Sequence, residues 1–556
     1  MPTILNADTV TGGAVITGDA SGQLALQAAG VTKLTVSSAG VSIPTLVGSN
    51  INLATNVTGT LPAANGGTGI TSPGAAGNVL ISNGTAWTSA ATGYPTRSFV
   101  ASGALSNGDV VVLNTDGTVS IVSGTVPAVG AVVTYPYGME VNNDGCYDPT
   151  TNKVVVVFRS NNYSYGVLTA SSLVGTVSGT TITWGAQENF SGFIIGNDAI
   201  SCCSLGNGKV AVTYTYNDGN ISSQVRVGTI SGTSINWGPV FSPGIANVTG
   251  MRVRYDAGND NVVVLTASSG AQQVYLQTFT YSGTTLTQKG GVVILAATTS
   301  PVTTSSMLNM VYDSSVARMI IMYSDRTNNG YGTAQVVNCQ PSSPVVGAKT
   351  VFNSAATNYI SGCFDPVNNK SVICYQNSTG YGTAIVGTAT STAISFGTAQ
   401  TFNSASTLYI GAVYCSFQKR IAIIWQGFSI SASLSGTTLS FQSPVVSTNN
   451  MGGAVAYDST SYKVAFAGYG ASQVFEPGYT TVTNWVGVAT NSALNGASVN
   501  VAMQGSVVTN QTGLTTGTTY YLTSTGALTT SSSATGYKLG KALSATSLLI
   551  TEGNAA

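Results

Sequence analysis

Short β-branched runs alternate with turns along most of this chain, and between Tyr147 and Val464 the alternation repeats seven times. Each copy opens on a hydrophobic or aromatic residue followed by Asp, leaves a short gap, and continues with a β-branched run. A second run follows, often opened by Tyr-Gly, and a Ser-Gly-Thr-Thr-like turn leads into a strand carrying Trp or Phe. The anchors are Tyr147-Asp148 before Lys153-Val154, Leu205-Gly206 before Lys209-Val210, Tyr255-Asp256 before Asn261-Val262, and Tyr312-Asp313 before Arg318-Met319. Phe364-Asp365 before Lys370-Ser371-Val372, Ser416-Phe417 before Arg420-Ile421, and Tyr457-Asp458 before Lys463-Val464 complete the series. Phe352-Asn353-Ser354-Ala355 returns as Phe402-Asn403-Ser404-Ala405, and Gly330-Tyr331-Gly332-Thr333-Ala334 as Gly380-Tyr381-Gly382-Thr383-Ala384. β-branched runs bounded by Gly, Asn, Asp and Ser read as strands. A period of about 52 residues suits a four-stranded propeller blade, so the pattern predicts a seven-bladed β-propeller.

The last copy supplies runs at 454–457, 464–467 and 473–475 but no clear fourth strand before Trp485. The stretch 127–135 lies ahead of the first copy and has no blade of its own. Pairing the two would remove exposed edges and bring the entry and exit of the propeller together.

Composition narrows the function classes. A chain of 556 residues exceeds one core and predicts two to four domains. Charged residues are only 6%, against roughly 25% in an ordinary globular protein. Abundant Val, Ile and Tyr nevertheless supply enough apolar surface to offset the ordering entropy, so the expectation is all-β rather than disordered. With 18 basic residues balanced by 18 acids, no basic stripe exists for phosphate neutralisation and nucleic acid is not an expected partner. No apolar stretch reaches the ~20 residues of a membrane helix, and Met1-Pro2-Thr3-Ile4 does not open like a signal peptide, so membrane insertion is not expected. The seven cysteines lack the paired spacing of a zinc site and read as small buried hydrophobes. The chain has no histidine, which excludes Ser-His-Asp and Cys-His catalysis and imidazole metal sites. No cofactor is expected.

Residues 1–95 carry short strand-like runs such as Gln23-Leu24-Ala25-Leu26-Gln27 and Lys33-Leu34-Thr35-Val36, too short to bury a core alone unless several chains wind together. Within them, Asn56-Val57-Thr58-Gly59-Thr60-Leu61-Pro62-Ala63-Ala64-Asn65-Gly66-Gly67-Thr68-Gly69 and the run Gly77-Asn78-Val79-Leu80-Ile81-Ser82-Asn83-Gly84-Thr85-Ala86-Trp87 closely resemble a segment recurrent in tail fibre and related virion proteins of tailed bacteriophages. The earlier stretch 14–43 is similar to fibre shaft sequence in the same proteins. A second resemblance flanks the repeat. Residues 99–109 with Asp116-Gly117-Thr118-Val119 look like the front half of a small β domain of phage fibres, and 485–489, 513–522 and 540–550 look like its back half.

The resemblance implies a homotrimeric virion fibre, assembled in the host cytoplasm and released by lysis. Its parts would be an intertwined attachment segment (1–95), a carrier β domain in two halves (96–126 and 484–556), and the propeller (127–483) inserted between them. Implied partners are other tail or baseplate proteins and a host surface glycan or protein receptor. A capsid or neck decoration of the same build, and a polysaccharide depolymerase tailspike, are the alternatives.

Depolymerisation would need two carboxylates about 5 to 9.5 Å apart across one bond. Asp148, Asp256, Asp313, Asp365 and Asp458 recur at one repeat position, where an Asp caps a tight turn. The non-repeating Glu140, Asp144, Glu188, Asp198, Asp218, Asp260 and Asp325 read as solvated loop charges. No catalytic residue and no metal ligand is expected. Recognition is better served by the turns between the second and third strands, at 161–165, 214–220, 326–331 and 376–381, which are rich in Tyr, Asn and Thr and would crowd onto one face. Asn162, Tyr163, Tyr214, Tyr216, Asn217, Asn328, Asn329 and Asn377 are the candidate receptor contacts. Ordinary hairpin loops, with their tyrosines packed between blades, are the competing reading.

Overall fold

The computed structural model describes residues 24–28, 31–37, 40–42, 68–70, 78–82, 85–91, 96–134, 139–162, 167–191, 199–217, 219–297, 305–447, 451–523, 525–531 and 537–551. The first resemblance therefore lies largely outside the described residues. The chain divides into two compact units, 1–94 and 95–556.

In the first unit, Leu24–Ala28, Val31–Ser37 and Gly40–Ser42 form an antiparallel three-stranded sheet, and Asn78–Ser82 pairs with Trp87–Ala91 as a hairpin. Leu26, Val79, Leu80, Ile81 and Trp87 are all exposed.

The second unit is all-β among its described residues apart from single 3-10 turns. Among them, seven antiparallel sheets follow one another along the repeat, the strands that each draws from the repeat lying in sequence order. They open on Met139–Asp148, Ile200–Gly206, Val248–Asp256, Leu308–Asp313, Asn358–Asp365, Gly411–Cys415 and Met451–Asp458. The second strands, such as Asn261–Ser268, are buried along both faces. That explains runs like Val154-Val155-Val156-Val157, where alternation would be expected of a half-exposed strand.

The core lies between sheets rather than within one. Val155, Val157 and Val174 of the first sheet pack on Ile200, Val210 and Tyr214 of the second, and corresponding clusters join each sheet to the next. The last joins the first, through Val154, Phe158 and Leu173 against Ala454, Ala465 and Val474. Ring closure follows, and with it a β-propeller. Burying a Val, Leu or Phe of this kind is worth about 1.5–3 kcal/mol, so each interface carries several such contributions.

The closing sheet takes its outer strand from the other end of the chain. Ala128–Val129 and Val133–Thr134 pair with Ala471–Glu476, and Gly130 N donates to Val474 O at 2.8 Å. Just outside, Gly124–Thr125 pairs with Tyr479–Thr480. Beyond that lies a further sheet, in which Thr96–Val100 and Val110–Leu113 from before the repeat pair with Ser498–Ala502 and Trp485–Ala489 from after it. Gly103 N donates to Asn495 Oδ1 at 2.9 Å across 392 positions of chain. Val110 and Val112 face a second sheet through Trp485, Leu522 and Leu548, while Val111 packs with Val499 and Val501 on the opposite face.

The recurring Asp residues cap the turns between first and second strands. Asp365 is fully buried and accepts from the backbone N–H groups of Val367 (2.9 Å) and Asn368 (3.2 Å) and from the Asn368 amide (2.8 Å). Asp148, Asp313 and Asp458 accept in the same way. The partner aromatic also joins sheets: the Tyr147 hydroxyl lies 2.6 Å from that of Thr460, in the turn of the last sheet.

Replacing Asp365 by Ala removes three hydrogen bonds and strands their donors. The expected cost is roughly 1–3 kcal/mol, read as a lower denaturant midpoint, with Asp365→Asn losing less because it keeps an acceptor.

Candidate functional site

In an up-and-down sheet the first strand begins at the end where the second-to-third turn lies. The inner strands of the ring therefore share one face with the turns proposed for recognition. Each inner strand also presents an unpaired edge to the axis, and buried backbone groups there need partners.

One position supplies them. Asp144, Ser201, Arg252, Asn309, Ser361, Gly411 and Ala454 each pair with the same position of their second strand. Asp144 Oδ2 accepts from Cys202 N (3.4 Å), Ser201 Oγ from Val253 N (3.2 Å) and Ser361 Oγ from Ala412 N (3.0 Å), while Asn309 Nδ2 donates to Ile360 O (3.1 Å). In each case a side chain of one sheet satisfies the backbone of the next. Arg252 breaks the series, for its Nη1 donates instead to Met251 O of its own strand at 3.1 Å.

These strands enclose an axial cavity of about 440 Å3, lined from all seven sheets. Its polar wall centres on an ion pair. Arg254 Nη1 lies 2.9 Å from Asp144 Oδ2 and also donates to Ser201 Oγ and Cys202 O, both at 3.2 Å. Its Nη2 approaches Asn309 Oδ1 at 3.5 Å. Ser201 Oγ donates to Asp144 Oδ2 at 2.5 Å. Arg254 thus reaches from the third sheet to the first and towards the fourth.

Burial opposes the charge on Asp144, but Arg254 and Arg252, with hydrogen bonds from Ser201 and Arg254, outweigh it and hold the carboxyl below its usual value. Burial also opposes the Arg254 charge, and Asp144 reverses that effect so that its pKa is raised. For Arg252, burial together with repulsion from Arg254 overcomes the attraction of Asp144 and brings the guanidinium down to about 10, still protonated at neutral pH. Burial pushes the Cys202 and Cys203 thiols far up, so this wall carries no thiolate nucleophile at neutral pH.

The opposite wall is aromatic and open. Tyr359 and Tyr409 occupy equivalent places two residues before Ser361 and Gly411, and their rings meet edge to face at 5.4 Å and 74°. Both have left-handed backbone, φ 47° and 56°. Gly411, Ala412 and Gly453 also line the cavity. Among the described residues, no three His, Cys, Asp or Glu side chains gather as a metal site.

The structure places the candidate contacts unevenly. Tyr214 is overturned as a contact: the strand Lys209–Tyr216 runs past it, and its ring is fully buried, 5.4 Å from Phe190. Tyr216 and Asn217 are half-buried at the end of that strand, with Asn217 Oδ1 accepting from Gly219 N at 3.0 Å. Asn328 and Asn329 are exposed beside the 3-10 turn Arg326–Asn328. Asn377 holds its own turn, accepting from the backbone N–H groups of Thr379 and Tyr381 at 3.0 Å each. Asn162 ends the strand Lys153–Asn162, and its side chain, like Tyr163, Asp198 and Asp218, lies outside the described residues.

Asp144 and Asp325 correct the reading of non-repeating acids as solvated. Both are buried, Asp144 against Arg254 and Asp325 against Lys349 Nζ at 2.8 Å. The axial residues were missed although Arg252-Val253-Arg254 is a legible signal, two like charges on one face of a strand where no other copy carries a basic residue.

No known protein family and no curated protein matches the chain by sequence. Among solved structures, a chain of the crystal structure of the mitotic checkpoint complex is similar, with 12% identity and a TM-score of 0.41 over 63% of this chain and 94% of that one. An arginine-to-alanine triple mutant of AofleA from Arthrobotrys oligospora gives 11% identity and a TM-score of 0.38, over 63% and 96%. The strand order, rather than this likeness, makes the fold a β-propeller.

Asp144→Asn leaves the partly buried Arg254 without its counter-charge, and the expected loss is about 1–3 kcal/mol. Because the folded pKa of Asp144 lies below the unfolded value of about 3.9, its contribution is full above that pH and lost as pH falls through the folded value. Urea unfolding of both proteins should therefore show a gap at pH 7 that narrows below pH ~4.

Proposed function

We propose that this chain is a non-enzymatic structural protein of a tailed-phage particle, a tail fibre or spike that displays a seven-bladed β-propeller for recognition of the host surface. The propeller is the outward head, the sheets built from 96–126 and 484–556 are its carrier, and residues 1–95 are the attachment segment. The observation that carries this reading is the way the head is mounted: the chain leaves and re-enters the propeller side by side, through Gly124–Thr125 and Tyr479–Thr480. A closed ring held at one point leaves its faces and turns open to a partner, where recognition usually resides. The resemblance of 56–69 and 77–87 to phage fibre sequence supplies the virion context.

Trimeric assembly has its own support. Val79, Leu80, Ile81 and Trp87 of one short hairpin are exposed in the single chain, and a hairpin alone is marginal in water. Two further copies would cover such surface. Several heads per fibre would then convert modest single-site affinity into stable attachment. The partners are other tail or baseplate proteins through the attachment segment and a host surface glycan or protein receptor through the head.

Light scattering of the purified chain should give the mass of three copies. Cryo-electron microscopy of the intact particle should show threefold bundles on the tail or baseplate with free propellers. Propellers packed against capsid or neck proteins would instead make it a decoration protein, and a monomer in solution would remove the fibre reading.

A further inference from the structure

Among the described residues, the axial cavity holds two guanidinium groups against one carboxylate. Arg254 and Asp144 satisfy each other at 2.9 Å, which leaves one positive charge unmatched among those residues. That charge belongs to Arg252, whose guanidinium has one hydrogen bond among the described residues, to a backbone carbonyl of its own strand. A guanidinium carries five N–H donors in a planar fork suited to a carboxylate. Leaving most of them unused in a half-buried place is costly unless a ligand takes them up.

The rest of the cavity indicates what such a ligand carries besides its charge. Tyr359 and Tyr409 stand two residues nearer the turn-bearing face, and both sit in a left-handed backbone region that is strained for a residue with a Cβ. The same conformation occurs at matching places in two successive sheets, and both tyrosines line one cavity with their rings in edge-to-face contact. Gly411 and Gly453 line the same cavity. Aromatic faces beside hydrogen-bonding Asn309 and Ser361 suit a pyranose, and about 440 Å3 lies in the size range of small-ligand sites.

We propose that the axial cavity is a binding site for an acidic monosaccharide, its carboxylate on Arg252 and its ring against Tyr359 and Tyr409. A monoanion matches the single unmatched charge, and the neighbouring Asp144 carboxylate disfavours a dianion. Binding by the purified chain does not depend on where the protein sits on a particle, so this site and the virion reading stand or fall separately.

The test is calorimetry, with saturation-transfer NMR for weak ligands, on the full chain with glucuronate, galacturonate and N-acetylneuraminate, alongside glucose, galactose and inorganic phosphate. At least one acidic sugar should bind, with its neutral counterpart and phosphate each weaker by roughly tenfold or more, as loss of a charge-assisted hydrogen bond implies. Arg252→Gln should weaken binding to the same extent. Tyr409→Asn should also weaken it without lowering the melting temperature, because Asn tolerates the left-handed backbone. Failure of all three acids to bind, equal binding of acid and neutral sugar, or equal binding of phosphate would overturn the proposal. So would undiminished binding by a folded Arg252→Gln protein or, should that variant not fold, by Tyr409→Asn.

Discussion

Seven sheets that bury their apolar faces only against one another have no stable arrangement until the last meets the first. The strand Ala471–Glu476 would otherwise be an open edge, and the cluster of Val154, Phe158 and Leu173 with Ala454 and Val474 would face water. Pairing of Ala128–Val129 and Val133–Thr134 with that strand closes the ring with chain from before its first sheet. The propeller therefore cannot complete itself until both ends of the repeat are in place. Its inner strands come together around the axis by the same requirement, and their unpaired edges become buried groups to be satisfied.

That satisfaction explains why polar residues sit so deep in a chain with few charges. Ser201, Asn309 and Ser361 bond the backbone of a neighbouring sheet, and Asp144 does so while also meeting Arg254. A carboxylate at the axis is tolerated because Arg254 reaches past the second sheet to meet it. Arg252 is then an additional charge on the same wall, repelled by its neighbour and only partly compensated. The cavity thus differs from a structural plug, in which polar groups would be matched on every side.

Much of the fold is legible in the sequence because its signals are local. Asp148, Asp256, Asp313, Asp365 and Asp458 recur where a side chain caps its own turn, and a residue with positive φ follows each, such as Asn152, Asp260 and Asn369. Gly228 lies directly opposite Trp237 in the register, where a Cβ would meet Ile235 and the indole, so the Ser-Gly-Thr-Ser turn and the Trp strand report one packing unit. The site is less legible because it is assembled across sheets. Alternation shows that Arg252 and Arg254 share a face, yet not that Asp144, 110 residues earlier, stands opposite. Tyr214 illustrates the reverse: an aromatic near a strand end reads as a loop residue, but pairing with Gln224 extends the strand beyond it and turns the ring into the core with Phe190.

Where the chain departs and returns, Thr481 N donates to Ser123 O at 2.9 Å and Ser123 N to Thr481 Oγ1, also at 2.9 Å. Two residues this close can be joined by a tight turn although they stand 358 positions apart, so the sheets of 96–122 and 485–551 have no geometric need of the chain between them. The propeller is therefore an exchangeable cassette. Recombination between Ser123 and Thr481 could replace one propeller by another, or delete it, and leave strand pairing in the flanking sheets intact. The propeller could then vary in sequence while the flanking sheets stay constrained by their own pairing.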